Sequence, residues 1–339
     1  MLRLAEIPYA AAVAWRNRGY DSGRRPVERV NVPVFSVGNL TLGGSGKTPL
    51  VEWLARWLRA RGVRVTIVSR GYGAEVGARN DEALELEERL PDVPHLQNPD
   101  RVAAARTAIE EFECQAILLD DGFQHRRLAR DLDLVLIDAL EPFGFGHVFP
   151  RGTLREPLLG LRRAQAVVLS RADLVEQDER ARLKAAVARY APSAVWLETA
   201  HAPRRLVSAA GETRGLEELA GQRVAAFCGI GNPGGFRRTL ERLGATLVGF
   251  REFPDHHAYQ RADVDALDKW ADEIEATWLV CTAKDLVKLR VARIGPRPLW
   301  ALAIELEILA GLSEFEALLE TALADEQAPL PKREDAEPM

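Results

Sequence analysis

Short runs rich in Val, Ile and Leu alternate with amphipathic helical stretches along the first two hundred residues. This is the pattern of an α/β fold with a doubly wound, mostly parallel sheet. The expected strands are Val34 to Val37, Val63 to Ser69, Ala116 to Leu119, Leu132 to Ile137, Ala166 to Ser170 and Ala194 to Glu198. Between the first two, PLVEWLARWLRARG places Leu50, Leu54, Trp57, Leu58 and Arg61 at helical spacing, and Gly62 supplies the stop. Residues 200 to 222 turn polar, with Pro and Gly, before a second alternation opens. Its strands are Val224 to Cys228, Thr246 to Phe250, Trp278 to Thr282 and Leu299 to Glu305, with helices over Phe236 to Leu243, Val264 to Glu275 and Phe315 to Leu323. A first domain over 1–200 and a smaller α/β domain over 201–325 follow, with the boundary near 201 to 206. Residues 326–339 carry too little apolar content to pack and are expected to be a disordered tail.

The N-terminal segment departs from this alternation. Tyr9, Val13 and Trp15, with the alanines between them, form one face of a short helix expected to start near Pro8, with Arg16 and Arg18 at its edge. The first 31 residues hold six arginines against Glu6, Asp21 and Glu28, on a chain whose net charge is -5. A basic amphipathic segment of that kind suits a membrane interface; packing against the first domain is the alternative. The overall acidity gives no general attraction to nucleic acid. Cys114, Cys228 and Cys281 lack metal-ligand spacing and suit a reducing compartment. No apolar run reaches the roughly 18 to 20 residues that cross a bilayer. A cytoplasmic protein, peripheral at most, is the expectation.

The chemistry concentrates after the strand VPVFSV, in GNLTLGGSGKT, which a helix follows at once. Strand, glycine-rich turn and helix N-terminus point backbone N–H groups and the helix dipole at phosphate oxygens. Thr41, Leu42, Gly43, Gly44, Ser45, Gly46, Lys47 and Thr48 form this phosphate loop. Lys47 is expected at the β- and γ-phosphates, and Thr48 at Mg²⁺. Thr41 stands where the motif usually has its first glycine, and Gly43 and Gly44 relax the turn instead. A metal carboxylate is also needed at a neighbouring strand end. Asp120 and Asp121 in AILLDDGFQH offer one, with Gln124 and His125 beyond them, and Asp138 in LDLVLID competes.

Two other signals point elsewhere. Gly229, Gly231 and Gly234, with Glu252 further on, formally match a dinucleotide fingerprint, but Pro233 restricts that loop and a tight helix start explains it. Ser170-Arg171-Ala172-Asp173 loosely matches the guanine-reading segment of GTPases, which keeps a GTPase or metallochaperone-type NTPase as the second reading. Asp255, His256 and His257 in FPDHHAY form a cluster suited to proton handling, to a solvated loop or, last for want of a third spaced ligand, to a metal, and Asp81-Glu82 can simply begin an acidic helix.

Taken together, VPVFSVGNLTLGGSGKTPLVEWL, SRGYG, NDEALEL, DRVAAAR, ILLDDGFQHRRLARDLDLVLID, RGTLREP, CGIGNPGGF and FPDHHAY resemble the tetraacyldisaccharide 4'-kinase family, from about residue 8 to about 305. The resemblance implies transfer of the ATP γ-phosphate, with Mg²⁺, to the 4'-hydroxyl of an acylated glucosamine disaccharide 1-phosphate in lipid A biosynthesis. It implies work at the cytoplasmic face of the inner membrane, an N-terminal segment touching the bilayer and two α/β/α domains closing on substrate; it implies nothing about a protein partner. By the family's motifs Asp81 is the catalytic aspartate, His256 the histidine assisting it, and Glu156 joins Asp120 and Asp121 around Mg²⁺. This chain departs from the family at Asn80 and Ala83 around Asp81, and at Thr282-Ala283-Lys284-Asp285, where Ala283 replaces a glutamate.

Overall fold

The computed structural model describes residues 2–44, 46–71, 86–255 and 257–324. Strands β1 (Val34–Asn39), β2 (Val65–Ser69), β3 (His95–Gln97), β4 (Ala116–Asp120), β5 (Leu132–Asp138) and β6 (Ala166–Ser170) run parallel in the order β6-β5-β1-β4-β2-β3. All but β3 are almost wholly buried, as continuous apolar runs covered on both faces must be. The sequence runs located these strands within two residues of their ends. The three-residue β3 escaped because a segment that short has no periodicity to read.

Two long strands carry the sheet onward. β7 (Val195–Val207) pairs parallel with β6 through Val195 to Glu198, then antiparallel with β13 (Arg297–Ala310) from Glu198 to Val207. β13 then joins β11 (Trp278–Thr282), β9 (Arg223–Cys228) and β10 (Thr246–Glu252) in parallel, while the two-residue strands β8 (Thr213–Arg214) and β12 (Arg293–Ile294) pair at the side. One mixed sheet therefore runs through the whole molecule. The boundary expected at residues 201 to 206 falls inside β7, a strand shared by both halves.

Helices α1 (Leu2–Asp21), α2 (Lys47–Ala60), α3 (Arg101–Phe112), α4 (Gln177–Ala188), α5 (Pro233–Arg242), α6 (Arg261–Glu273), α7 (Ala283–Leu289) and α8 (Leu312–Ala324) complete the fold. On α2, Leu50, Leu54 and Leu58 are fully buried at four-residue spacing, each contributing roughly 1.5–3 kcal/mol of burial. Phe315 and Leu319 of α8 enter the same core cluster, Trp57 donates its indole N–H to Glu316 at 2.9 Å, and Arg61 meets Glu320 at 3.1 Å. The terminal helix, expected with the second half, therefore packs on the first, because its apolar stripe completes the face of α2.

The N-terminal helix is also longer than expected: it begins at Leu2 and contains Pro8. Its faces divide differently as well. Tyr9 and Ala10 pack against a core cluster and Val13 is buried, whereas Trp15 is 71% exposed on the other side. Among the described residues no helix is long and apolar enough to cross a membrane. Residues 325–339, which include the expected tail, lie outside the described residues.

Candidate active site

The phosphate loop springs from the C-terminal end of β1, between β5 and β4, where parallel strand ends leave a crevice. Gly46 caps α2 in the left-handed conformation (φ 82°), with no side chain capping the first turn. The amides of that turn are thus presented to a ligand. Thr41 explains its own departure from the motif. It forms a β-bridge with Leu154, Leu42 N–H donates to Thr153 O at 2.7 Å, and Arg155 N–H donates to Leu40 O at 2.6 Å. An extended, paired residue has no use for glycine's freedom, so the first half of the loop is strapped by 153–155 instead. Ser45 lies outside the described residues.

Asp120 and Asp121 stand where β4 ends, Asp120 opposite Val37 of β1. Asp121 lies 3.5 Å from Lys47 Nζ and accepts from Arg155 Nη1 at 2.9 and 2.7 Å. Burial opposes its charge, but Lys47 and Arg155 outweigh that and hold its pKa below the ordinary carboxylate range. Asp121 also has a left-handed backbone (φ 54°), the kind of local strain that functional sites retain. Arg101, at the start of α3, is buried, which lowers its pKa, while the nearby Asp121 and Asp120 oppose that shift. His125 beyond them is pushed down to about 4 by burial, with Arg101 and Arg130 adding repulsion.

Asp138, the competing carboxylate, is committed to Arg171 at 2.5 Å, and Arg171 also donates to Gly44 O at 3.0 Å. The segment that loosely matched a guanine reader thus braces the phosphate loop. Glu156 is fully buried and accepts from Arg163 at 2.9 and 3.0 Å, from Asn17 at 3.0 Å and from Gln124 at 3.1 Å. Both of its oxygens are occupied and sealed from water, whereas the Asp121 side chain stays 37% exposed, so the carboxylate expected around Mg²⁺ acts in this structure as a strut. Gln124 also donates to Asn39 O at 2.9 Å, joining that strut to the end of β1.

Thr48, Asp120 and Asp121 fit an Mg²⁺ ion, which takes one or two carboxylates and completes its shell with phosphate oxygens and water. Asp81 and His256 lie outside the described residues. The flanks of His256 are pinned: Phe253 N–H donates to Cys228 O, the His257 ring stacks on Phe253, and His257 Nε2 meets Asp263 at 3.0 Å. Tyr259 donates to the fully buried Asp285, which also accepts from Gly229 N–H and the Thr282 hydroxyl. Gly229 therefore anchors to a carboxylate, and α5 begins at Pro233 under an Asn232 cap, which is the tight helix start expected there.

A model of the tetraacyldisaccharide-1-P 4'-kinase family, LpxK, matches residues 1–324. The chain belongs to this family. A tetraacyldisaccharide 4'-kinase from Anaeromyxobacter sp. (strain K) is 44% identical, over 97% of this chain and 92% of that protein. One from Anaeromyxobacter dehalogenans (strain 2CP-C) is 45% identical, over 94% and 89%. The crystal structure of LpxK from Aquifex aeolicus in complex with ATP superposes with a TM-score of 0.75 at 29% identity, covering 94% of this chain and 97% of that one. Family membership carries the reading of an ATP-dependent kinase, and the GTPase alternative gives way.

Three site residues escaped the reading of the sequence. Arg155 is less conspicuous in the sequence than its neighbour Glu156, although a cation in the same LREP segment is the natural partner for paired carboxylates. Arg101 sat unremarked in DRVAAAR, a helix start where a buried cation is unusual. His201 lies on β7 and presses its ring against Gly46: a Cβ built on that glycine would come within 2.6 Å of the ring. Nothing in the polar stretch around it announces that contact.

Proposed function

We propose that this chain transfers the γ-phosphate of ATP to the 4'-hydroxyl of an acylated glucosamine disaccharide 1-phosphate, at the cytoplasmic face of the inner membrane. The observation that carries the proposal is the Lys47–Asp121–Arg155 constellation at the open N-terminus of α2, in a chain belonging to a 4'-kinase family. The α2 amides and Lys47 bind the phosphates, and Arg155 with Arg101 adds positive charge where the transferred group gathers negative charge. Thr48, Asp120 and Asp121 would hold Mg²⁺, which when bound neutralises charge on the β- and γ-phosphate oxygens. Asp81 takes the proton of the sugar hydroxyl and His256 orients it, assembled as the two halves close on substrate. The basic, apolar outer side of α1 supports peripheral attachment.

The test is incubation of the protein with labelled ATP, Mg²⁺ and a disaccharide 1-phosphate bearing acyl chains, followed by separation of lipid and water-soluble products. Label in the lipid is the expected result. Release of free phosphate at the same rate with and without the lipid would sink the proposal in favour of an NTPase.

A further inference from the structure

Helix α1 carries two stripes at helical spacing. Glu6, Tyr9, Val13 and Asn17 turn toward the protein, and Tyr9 donates to Arg155 O at 3.0 Å. On the other side Leu4, Ile7 and Trp15 are 74, 63 and 71% exposed. Residues 143–151 lie beside the first turns of the helix. Glu6 meets His147 at 3.2 Å and Arg151 at 3.3 Å, and the rings of Tyr9 and Phe149 pack edge-on with centroids 5.7 Å apart.

The tip of that segment is Gly144-Phe145-Gly146, three consecutive residues with left-handed backbone (φ 54, 59 and 72°). Phe145 is 72% exposed. A bulky residue rarely adopts this conformation, and strain held at an exposed apolar ring gains nothing from water. The exposed charge along α1 and the turn after it is one-sided, although Glu141 near the tip is also exposed and accepts from the Thr153 hydroxyl at 3.0 Å. Glu6 is neutralised by Arg151, and Asp21 pairs with Arg126 and Arg162. Arg3, Arg18 and Arg24 are exposed and have no carboxylate partner among the described residues.

We propose that the Gly144-Phe145-Gly146 tip is a second insertion point beside α1, and that its occupant is the interface of an anionic bilayer. Two apolar elements held side by side fix the orientation of the protein on a surface, which a single helix, free to roll about its axis, does not. The proposal rests on the peripheral-membrane reading above and adds a second, independent contact to it.

The three native cysteines are buried, so Phe145→Cys and, separately, Ile7→Cys in the full chain give single accessible positions for an environment-sensitive fluorophore. Each labelled protein is titrated with phosphatidylglycerol-containing phosphatidylethanolamine vesicles, with and without brominated acyl chains. The expected result is a blue shift and bromine quenching at both positions, and a loss of vesicle affinity on the order of tenfold in unlabelled Phe145→Ser. A response at position 7 without one at 145 overturns the second insertion point and leaves the peripheral reading standing. No response at either position overturns both and turns the exposed stripe toward a protein partner. An equal response on purely zwitterionic vesicles refutes the anionic part.

Discussion

Replacing Gly46 by Ala perturbs the phosphate loop in two separable ways. The added Cβ would lie 2.6 Å from Cε1 and Nε2 of His201, well inside any real contact, and the backbone there is left-handed. The conformational part costs about 1–2 kcal/mol for an L side chain. Forcing a methyl group against a packed ring costs about 1–3 kcal/mol more. Gly46→Ala is therefore expected to lose about 2–5 kcal/mol in urea denaturation, and to bind ATP more weakly because the capping residue of α2 moves. In the double variant Gly46→Ala/His201→Ala the steric part disappears and the conformational part stays, so the cycle should show a favourable coupling of about 1–3 kcal/mol. Strict additivity would refute the claim that the ring is the obstacle. A single Gly46→Ala variant within about 0.5 kcal/mol of wild type would refute the whole argument.

Lys47→Ala should lower turnover by about 10²- to 10³-fold with little change in denaturation midpoint, since Asp121 keeps Arg155; an unchanged turnover in the folded variant would remove Lys47 from the phosphates. Asp285→Ala should cost about 3–5 kcal/mol, because Gly229 N–H, Tyr259 O–H and the Thr282 hydroxyl all lose a fully buried acceptor, while Asp285→Asn keeps an acceptor oxygen and should cost less; equal losses for the two would mean the network does not matter. His125 and His201 are held neutral in the fold, both pushed down to about 4, so the unfolded chain binds more protons between about pH 6.5 and 4. Stability should therefore fall as pH drops through that window, and a His125→Asn/His201→Asn variant should show a flatter profile by thermal denaturation.

The buried parallel strands were legible because each is an unbroken apolar run between turn residues, and the phosphate loop because its chemistry is local. Strand, glycines, lysine and threonine sit within fifteen residues of one another. What could not be read depends on contacts across the chain. Arg155 reaches Asp121 from 34 positions away, and Glu316 meets Trp57 across 259. Periodicity shows that α8 has an apolar face but not which surface it covers, so sequence alone assigns the helix to the half of the chain nearest to it. The same limit applies to Glu156: a carboxylate in a motif near paired aspartates invites a metal, and only the positions of Arg163, Asn17 and Gln124 show that its oxygens are already occupied.

That strut gives the first helix a second role. Asn17 on α1 donates to Glu156, Glu156 accepts from Gln124, and Gln124 donates to Asn39 at the point where β1 becomes the phosphate loop. The chain of contacts is short, buried in part at every step and closed by Arg163, so α1 cannot shift along its axis without disturbing an acceptor that is fully sealed from water. A buried carboxylate stripped of donors is costly, and this penalty holds the helix at a fixed height over the site. The inner stripe of α1 thus sets the position of the helix relative to Lys47 and Asp121, while the outer stripe is left exposed. In the peripheral attachment proposed above, the Asn17–Glu156–Gln124 contacts, rather than the flexible reach of a tether, would set the distance from the membrane plane to the phosphate loop.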